Sequence, residues 1–371
     1  MSPIRQRVRA AVLVPLALLV ASGAVVLPPA QAQQRCDEPL VGDVLPVDVA
    51  LPHDLSTGHD VGVAVVDTGA SAPGVVTERP GDRDHCLLHG TAVTGVLRTV
   101  APGARVVSVR QGDGSNTTVA DLVDALDRAR TTASEHGVRI LNVSVVACED
   151  TAELRRAVDA VEREGLLLVA AAGNAGQCRD DQVPYPAALP GVLTVGGVDA
   201  REPDTDPGTD PDAGRRPADY SVPGEWVDLH APGGPVSATL QTDGTDRTIV
   251  GDPAPFSGTS FASPVVAGTA ALVWQLRPEL SAAEVRALLV DTAEQGVVPV
   301  VSPVAAVGAV LDRAGSAEIA GHAEAAAHYE MPAEVSVVRA VDVPADLRVP
   351  LALAGVVAVA ILTALILRVR R

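Results

Sequence analysis

The chain has 371 residues, of which 47% are hydrophobic, and this is enough for one large globular domain or two ordinary ones. Its formal net charge is -18 at pH 7. Such an excess of acidic groups cannot neutralise phosphates along a face of the protein, so the charge excludes a nucleic-acid-binding function.

The N-terminus predicts a signal peptide over residues 1–32. A segment with three arginines precedes an uncharged stretch over residues 10–29, and the small-residue site Ala30-Gln31-Ala32 follows it. A basic segment, an apolar segment and an A-x-A site in this order are typical of a cleaved secretory signal. An uncleaved N-terminal membrane anchor is the alternative.

The central region, residues 61–313, alternates apolar runs with amphipathic stretches. Helical spacing of apolar residues predicts crossover helices over 118–136 and 150–164, and Ser281 with Glu284 forms a capping box that opens a helix over 284–293. Such alternation predicts an α/β domain with a mainly parallel central sheet flanked by helices. Its buried strands are expected at 61–66, 105–109, 138–143, 166–171 and 192–198.

Two segments of this chain have the composition of loops or linkers. Residues 201–217 are rich in Pro, Asp and Gly and lack an apolar period, which predicts a surface insertion loop. The carboxylates of this loop are suitable calcium ligands, but their spacing matches no ordered calcium-binding loop. The sequence therefore leaves calcium binding undecided. Residues 314–348 are rich in Ala, Glu and Pro, which predicts a linker.

The C-terminus predicts a membrane anchor. Residues 349–367 carry no charge over 19 positions, and at about 1.5 Å per residue a helix of this length spans nearly the whole hydrocarbon core. Three arginines in the tail, residues 368–371, are expected to stay in the cytoplasm, which places the body of the chain outside. A buried core helix is the alternative for this segment.

Three residues have the types and positions that acyl transfer by serine requires, namely a hydroxyl, a base and an orienting carboxylate. Asp67 ends an apolar strand, and His89 precedes small residues that allow a helix to start. Ser260 begins an apolar helix, whose N-terminus stabilises developing negative charge. Each alone is as easily a cap, a turn or a surface residue. Their joint occurrence in this order predicts a catalytic triad.

A fourth candidate is Asn174, which follows an apolar strand and stands between Gly173 and Gly176. Its side-chain amide can donate a hydrogen bond to the oxyanion that forms during acyl transfer. An asparagine in a turn is the ordinary alternative. The chain order Asp, His, Asn, Ser favours the oxyanion donor.

Four segments together resemble the signature motifs of the subtilase family, over roughly residues 60–295. The resemblance implies a subtilisin-like fold and a serine endopeptidase that forms an acyl-enzyme without a cofactor. It also implies that Ser144, Val145, Val146 and Gly173 line the substrate cleft, although Val145-Val146 departs from the usual Leu-Gly. The segments are Asp67-Thr68-Gly69, His89-Gly90-Thr91, Gly173-Asn174 and Gly258-Thr259-Ser260-Phe261-Ala262-Ser263-Pro264.

Within that family the chain is most similar to the mycosins, which are membrane-anchored subtilases of type VII secretion systems. Ala92, the stretches 107–111 and 141–144, and the C-terminal anchor carry this similarity. It implies that residues 33–60, too short for an inhibitory prodomain, wrap the catalytic domain. The implied partners are polypeptide substrates, the membrane and the membrane complex of the secretion system. A structural subunit with dispensable peptidase activity and a general exported protease are the alternatives.

The cysteines predict disulfide bonds. An even number, four, in an exported chain indicates two disulfides, for which three pairings are possible. We favour Cys36 with Cys86 and Cys148 with Cys178, because each pair then ties a segment to the neighbourhood of a proposed active-site residue. The chain lacks a C-x-x-C spacing and a nearby histidine pair, which disfavours a metal site at these cysteines.

Overall fold

The centre of the fold is a sheet of seven parallel strands. The structure is a computed structural model that describes residues 40–72, 74–78, 88–111, 118–199, 215–242, 245–251 and 254–312. The sheet has the order β3-β4-β2-β5-β6-β7-β8, and every neighbouring pair is parallel, which confirms the predicted α/β class. The strands, in chain order, are β1 (Leu40–Val41), β2 (Gly62–Asp67), β3 (Val76–Thr77), β4 (Arg105–Arg110), β5 (Val138–Val143), β6 (Leu167–Ala171), β7 (Leu193–Val198), β8 (Leu229–Pro232), β9 (Ala238–Thr242) and β10 (Thr245–Gly251).

Helices cover both faces of this sheet. Helices α1 and α5 pack into one hydrophobic core, and α2 and α4 pack into a second core on the opposite face. The helices are α1 (Leu88–Val100), α2 (Val119–Thr131), α3 (Ala133–His136), α4 (Ala152–Arg163), α5 (Thr259–Leu276), α6 (Ala282–Asp291) and α7 (303–312). A parallel sheet covered on both faces requires strands that are apolar on both sides, which explains the continuous apolar runs in the sequence.

Strand β2 shows how the two cores are divided. The side chains of Val63 and Val65 lie in the core with α1 and α5, whereas those of Ala64 and Val66 lie in the core with α2 and α4. Successive residues of a strand point to opposite faces, so one apolar run supplies both cores. Strand β2 is buried along its whole length, and the residue at its end is Asp67.

The helix caps agree with the sequence, but some helix bounds differ from the predictions. The capping box of α6 is present, with Glu284 N donating to Ser281 Oγ at 3.3 Å and Ser281 N to Glu284 Oε2 at 2.8 Å. The helix begins at Ala282 and ends at Asp291, two residues before the predicted end. The predicted helix over 118–136 is divided at Thr132 into α2 and α3.

A small antiparallel sheet joins the N-terminal segment to the body of the domain. Strand β1 pairs with β10, and β10 pairs with β9. Farther along, the side-chain oxygen of Gln275 accepts hydrogen bonds from the backbone N–H groups of Thr57 at 2.9 Å and His59 at 2.8 Å. The described part of the N-terminal extension, residues 40–60, therefore lies against the body of the domain. Its predicted role as a wrap over 33–60 stays a prediction.

Several sequence predictions fall outside the described residues. These are the signal peptide (1–32), the linker (314–348), the transmembrane helix (349–367) and the tail (368–371), together with most of the insertion loop. Within the ranges that the structure does describe, no helix is both long and apolar enough to cross a bilayer.

Candidate active site

The candidate site lies at the carboxyl edge of the central sheet. Asp67 ends β2, Ser144 follows β5, and Asn174 lies three residues after β6. Because β2, β5 and β6 are parallel neighbours, these three ends meet at one edge of the sheet. The N-terminus of α5, with Ser260 as its second residue, is at the same edge, since Ser260 is hydrogen-bonded to Ser144.

Asp67 and His89 form a hydrogen-bonded pair. His89 Nδ1 donates to Asp67 Oδ1 at 2.8 Å, and the same oxygen accepts from Thr68 N at 2.6 Å and Thr68 Oγ1 at 3.0 Å. The Asp67 side chain is 1% exposed, whereas that of His89 is 23% exposed. A proton held on Nδ1 leaves Nε2 unprotonated in the neutral ring, which is the state that a general base requires.

The pair also changes the acidity of His89. Burial by itself lowers the pKa of His89, but the negative charge of Asp67 and the hydrogen bond with it raise the pKa, and the net shift is upward. The imidazolium that forms when His89 takes a proton is therefore stabilised by Asp67. A base with a raised pKa accepts a proton from a serine hydroxyl more readily.

Ser260 is held at the start of α5 by a special backbone turn. The residue before the helix, Gly258, has φ of +152°, which favours glycine, and a Cβ there would lie 3.0 Å from Asn174 Nδ2. The ring of Phe261 lies 5.3 Å from the ring of His89, centroid to centroid. This contact brings His89 beside the helix turn that carries Ser260.

The Ser260 hydroxyl donates a hydrogen bond to the backbone carbonyl of Ser144, with Oγ 3.1 Å from the oxygen. A carbonyl oxygen only accepts, and a serine hydroxyl has one proton to give. The proton of Ser260 therefore points at Ser144 in this structure. For His89 to act as its base, this proton would first have to leave the Ser144 carbonyl.

Thr259 orients the side chain of Asn174. Asn174 Oδ1 accepts from Thr259 N at 2.9 Å and from Thr259 Oγ1 at 3.1 Å, and Gly173 N donates to the same hydroxyl at 3.1 Å. With its oxygen held by these donors, the amide keeps its Nδ2 hydrogens for another acceptor. The motif that carries Ser260 includes Thr259, but the only sequence signal for its contact with Asn174 is its position directly before Ser260.

The remaining predicted cleft residues border the same site. Ser144 is buried, and Val145 and Val146 are partly exposed. Gly173 has φ of +95°, and a Cβ added there would lie 3.0 Å from Pro184 Cγ and 3.6 Å from Val146 Cγ1. Close contact between these loops thus requires glycine at position 173. The structure brings together the predicted triad, Asn174, Ser144, Val146 and Gly173 at this edge of the sheet, whereas the side chain of Val145 packs against the core with α2 and α4.

A disulfide joins two of the loops around the site. Cys148, in the loop after β5, is bonded to Cys178, in the loop after Asn174, with 5.5 Å between the Cα atoms. This predicted pair is confirmed. Asn174 N also donates to Gln177 Oε1 at 2.6 Å, so the turn is held from both sides. The other predicted pair, Cys36 with Cys86, lies outside the described residues and stays a prediction.

In the part of the chain that the structure describes, no group of three or more His, Cys, Asp or Glu side chains is arranged to hold a metal ion. The groups that the site brings together are a hydroxyl, an imidazole, a carboxylate and an amide.

Comparison with known proteins agrees with this geometry. The model of the subtilase family matches residues 58–316, which is more than half of the chain. The chain belongs to the subtilase family. This subtilase is thereby placed in a family of serine endopeptidases, and the resemblance inferred from the four motifs is confirmed.

The curated relatives of this subtilase include mycosins and subtilisins. Mycosin-1 of Mycobacterium tuberculosis is 30% identical over 299 residues, which cover 64% of this chain and 64% of that protein. Mycosin-4 of the same organism is 32% identical, covering 64% and 61%. Subtilisin Savinase of Lederbergia lenta is 30% identical, covering 64% and 84%. This subtilase thus spans somewhat less than two thirds of the length of the mycosins that it matches.

Solved structures of mycosins have the same fold. The MycP3 protease from the type VII (ESX-3) secretion system superposes with a TM-score of 0.57 at 26% identity, covering 75% of this chain and 94% of that one. MycP1, an essential component of the type VII (ESX-1) secretion system, gives a TM-score of 0.54 at 28% identity, covering 74% and 93%. The predicted similarity to the mycosins is confirmed by these relatives.

Proposed function

We propose that this subtilase is a serine endopeptidase in which Asp67, His89 and Ser260 are the catalytic triad. The single observation that carries the proposal is the 2.8 Å hydrogen bond between buried Asp67 and His89, next to a serine at a helix N-terminus. A buried carboxylate paired with an imidazole is the arrangement that turns a serine hydroxyl into a nucleophile. Membership in the subtilase family supports the same assignment.

In the proposed reaction the Ser260 oxygen attacks the carbonyl carbon of a peptide bond while His89 Nε2 takes the hydroxyl proton. The carbonyl electrons move to the oxygen, and Asn174 Nδ2 and the positive end of α5 stabilise the resulting oxyanion. When the carbon–nitrogen bond breaks, His89 gives its proton to the leaving amine, and an acyl-enzyme remains. Water then hydrolyses the ester, with His89 acting as base again.

Covalent labelling tests this proposal. We expect phenylmethanesulfonyl fluoride to inactivate the purified protein against fluorescently labelled casein, because a sulfonyl fluoride reacts with an activated serine. Mass spectrometry of the inactivated protein should place the adduct on Ser260. An adduct on a different serine, or full inactivation without an adduct, would contradict the assignment.

We propose further that the protein acts on polypeptides outside the cell as part of a type VII secretion system. The similarity to Mycosin-1 and to the MycP3 and MycP1 proteases supports this context. The disulfide between Cys148 and Cys178 supports an oxidising compartment, since cytoplasmic proteins rarely keep such bonds. The proposed substrates are polypeptides, and the proposed partner is the membrane complex of the secretion system.

A single-pass anchor over residues 349–367 is the proposed attachment to the membrane, with the catalytic domain on the outer side. In spheroplasts, we expect protease added from outside to digest the catalytic domain of the full chain. A variant that ends at Arg348 is the control, and it should appear in the medium. Digestion of the full chain only after lysis would show that the topology is the reverse.

A further inference from the structure

A cluster of buried amide and hydroxyl groups lies directly beside the nucleophile. Asn142 is in the interior of β5, between β2 and β6, and is fully buried. Its Nδ2 donates to Ser144 Oγ at 2.9 Å. Ser144 Oγ in turn donates to the backbone oxygen of Ser260 at 2.9 Å and lies 3.0 Å from Ser263 Oγ. We refer to Asn142, Ser144 and Ser263 as the Ser144 network.

Counting protons fixes the direction of each hydrogen bond in the Ser144 network. The hydroxyl of Ser144 has one proton, and the carbonyl of Ser260 can only accept it. The bond between the Ser144 and Ser263 hydroxyls must then use the proton of Ser263. The partner of Ser144 on Asn142 must likewise be a donor, which is the amide nitrogen. The hydroxyl of Ser144 therefore gives one hydrogen bond and accepts two.

Ser144 holds Ser260 at two points. Its hydroxyl binds the backbone carbonyl of Ser260, and its own carbonyl accepts the proton of the Ser260 hydroxyl. A small displacement of Ser144 therefore shifts the nucleophile and its proton together. Displacements of about 1 Å at reacting groups cost on the order of 100-fold in rate.

The position of Asn142 is not explained by stability. Its Oδ1 is buried and has no hydrogen-bond partner among the described residues. A buried acceptor without a donor destabilises a fold, and an apolar side chain of similar size would avoid this cost. Its immediate neighbours in the sheet are apolar, namely Leu141 and Val143 in β5, Val65 in β2 and Val169 in β6.

We propose that Asn142 is a positioning residue for Ser260 and acts through the hydroxyl of Ser144. This inference rests on the proposed function of Ser260 as the nucleophile. Asn142 touches neither the substrate nor the reacting atoms. Its hydrogen bond fixes the position of Ser144. From that position the Ser144 hydroxyl donates to the backbone carbonyl of Ser260, and the Ser144 carbonyl accepts from the Ser260 hydroxyl.

The substitution Asn142→Leu separates positioning from folding. It removes both the donor to Ser144 and the unpartnered oxygen while keeping a similar volume. We expect the maximal rate of Ser260 labelling by phenylmethanesulfonyl fluoride to fall on the order of 10- to 100-fold, with the half-saturating concentration unchanged. The melting temperature should stay the same or rise. If leucine prevents folding, Asn142→Val, which suits a strand, replaces it.

Two further variants make the test specific. Thr194→Val is the matched control, because Thr194 is fully buried in β7 and donates to Ala187 O at 2.6 Å, outside the Ser144 network. It should lower the melting temperature and leave the labelling rate unchanged. Combining Asn142→Leu with Ser144→Ala should slow labelling no more than Ser144→Ala alone, since both act on one hydrogen bond.

The outcomes distinguish this inference from the proposed function. If the wild-type protein is not labelled on Ser260, the proposed function fails. If the wild type is labelled and Asn142→Leu or its valine replacement is labelled at the same rate, only the positioning role is overturned. Additive effects in the double variant would overturn the route through Ser144. A lowered melting temperature with an unchanged labelling rate would assign Asn142 a structural role alone.

Discussion

The variant Ser260→Ala is expected to lose about 10⁶-fold in the rate of peptide hydrolysis while remaining folded. Alanine removes the attacking oxygen, and the residual rate comes from substrate binding and from Asn174. Alanine is also well tolerated in a helix, so α5 keeps its structure. The measurements are the turnover of labelled casein and the melting temperature of the purified variant.

Ser257→Ala is the matched control for this variant. Ser257 is an exposed serine three residues earlier, directly before the motif that begins at Gly258, and we expect its replacement to leave turnover unchanged. Turnover by Ser260→Ala close to that of the wild type would rule out Ser260 as the nucleophile.

In the producing cell, the variant Ser260→Ala also distinguishes a processing enzyme from a structural subunit. Export that continues with unprocessed substrates indicates a processing enzyme, whereas export and processing that both remain normal indicate a structural subunit.

The second large effect is expected for Asp67→Asn, on the order of 10⁴-fold in turnover. An asparagine of the same shape can present its amide nitrogen to His89, which favours the tautomer with the proton on Nε2. A ring in that tautomer cannot accept the proton of Ser260. The measurement is turnover of labelled casein across a pH series, with the melting temperature as the check on folding.

The pH dependence of Asp67→Asn has a definite sign. His89 must be neutral to act as base, so activity of the wild type falls as the pH drops below the raised pKa of His89. Removing the Asp67 charge leaves burial as the main influence, and burial lowers the pKa of His89. The acid limb of the pH–activity profile, where activity falls as the pH drops, should therefore lie at lower pH for the variant than for the wild type.

A control for the charge itself is Asp60→Asn. Asp60 is an exposed carboxylate just before β2, hydrogen-bonded to Arg105 at the surface. Its replacement removes the same charge and should change neither turnover nor the acid limb. An acid limb of Asp67→Asn that stays at the wild-type position would show that Asp67 does not set the pKa of His89.

The parts of the site that could be predicted from the sequence are those with local signals. Asp67 follows an apolar run, and the end of a buried parallel strand is where such folds build their sites. Ser260 is the second residue of an apolar helix that follows Gly258, and Gly258 has a backbone conformation that only glycine adopts easily. The order of the motifs then indicated the family, and with it the shared edge of the sheet.

Other parts of the fold had no local signal. Strand β8 is four residues long and contains His230 and Pro232, so it lacks the apolar run that marks the central strands. It lies at the edge of the sheet, where a proline is tolerated. Strand β9 is only five residues long, strand β10 opens with the polar run Thr-Asp-Arg-Thr, and the two pair outside the main sheet. Only tertiary pairing distinguishes such segments from loops.

The positioning role proposed for Asn142 was not predicted from the sequence, for a related reason. A single asparagine within an apolar strand resembles an imperfection of the pattern, and its partner Ser144 is only two residues away. The link that matters connects Ser144 to Ser260, and no local pattern reveals a contact over that separation. The sequence therefore predicted the residues of the proposed triad, Asn174 and Ser144, but not the hydrogen-bonded link from Asn142 through Ser144 to Ser260.

The hydrogen bonds between Ser144 and Ser260 join positions 116 residues apart in the chain. Contacts between such distant positions form late in folding, because closing the long loop between them costs entropy before the contacts can stabilise the fold. Parallel sheets contain many such contacts. The proposed nucleophile, base and oxyanion donor therefore assemble only once the chain extends at least through α5. A product truncated before α5 lacks this centre, so the proposed activity would report on the integrity of the parallel sheet and of α5 together.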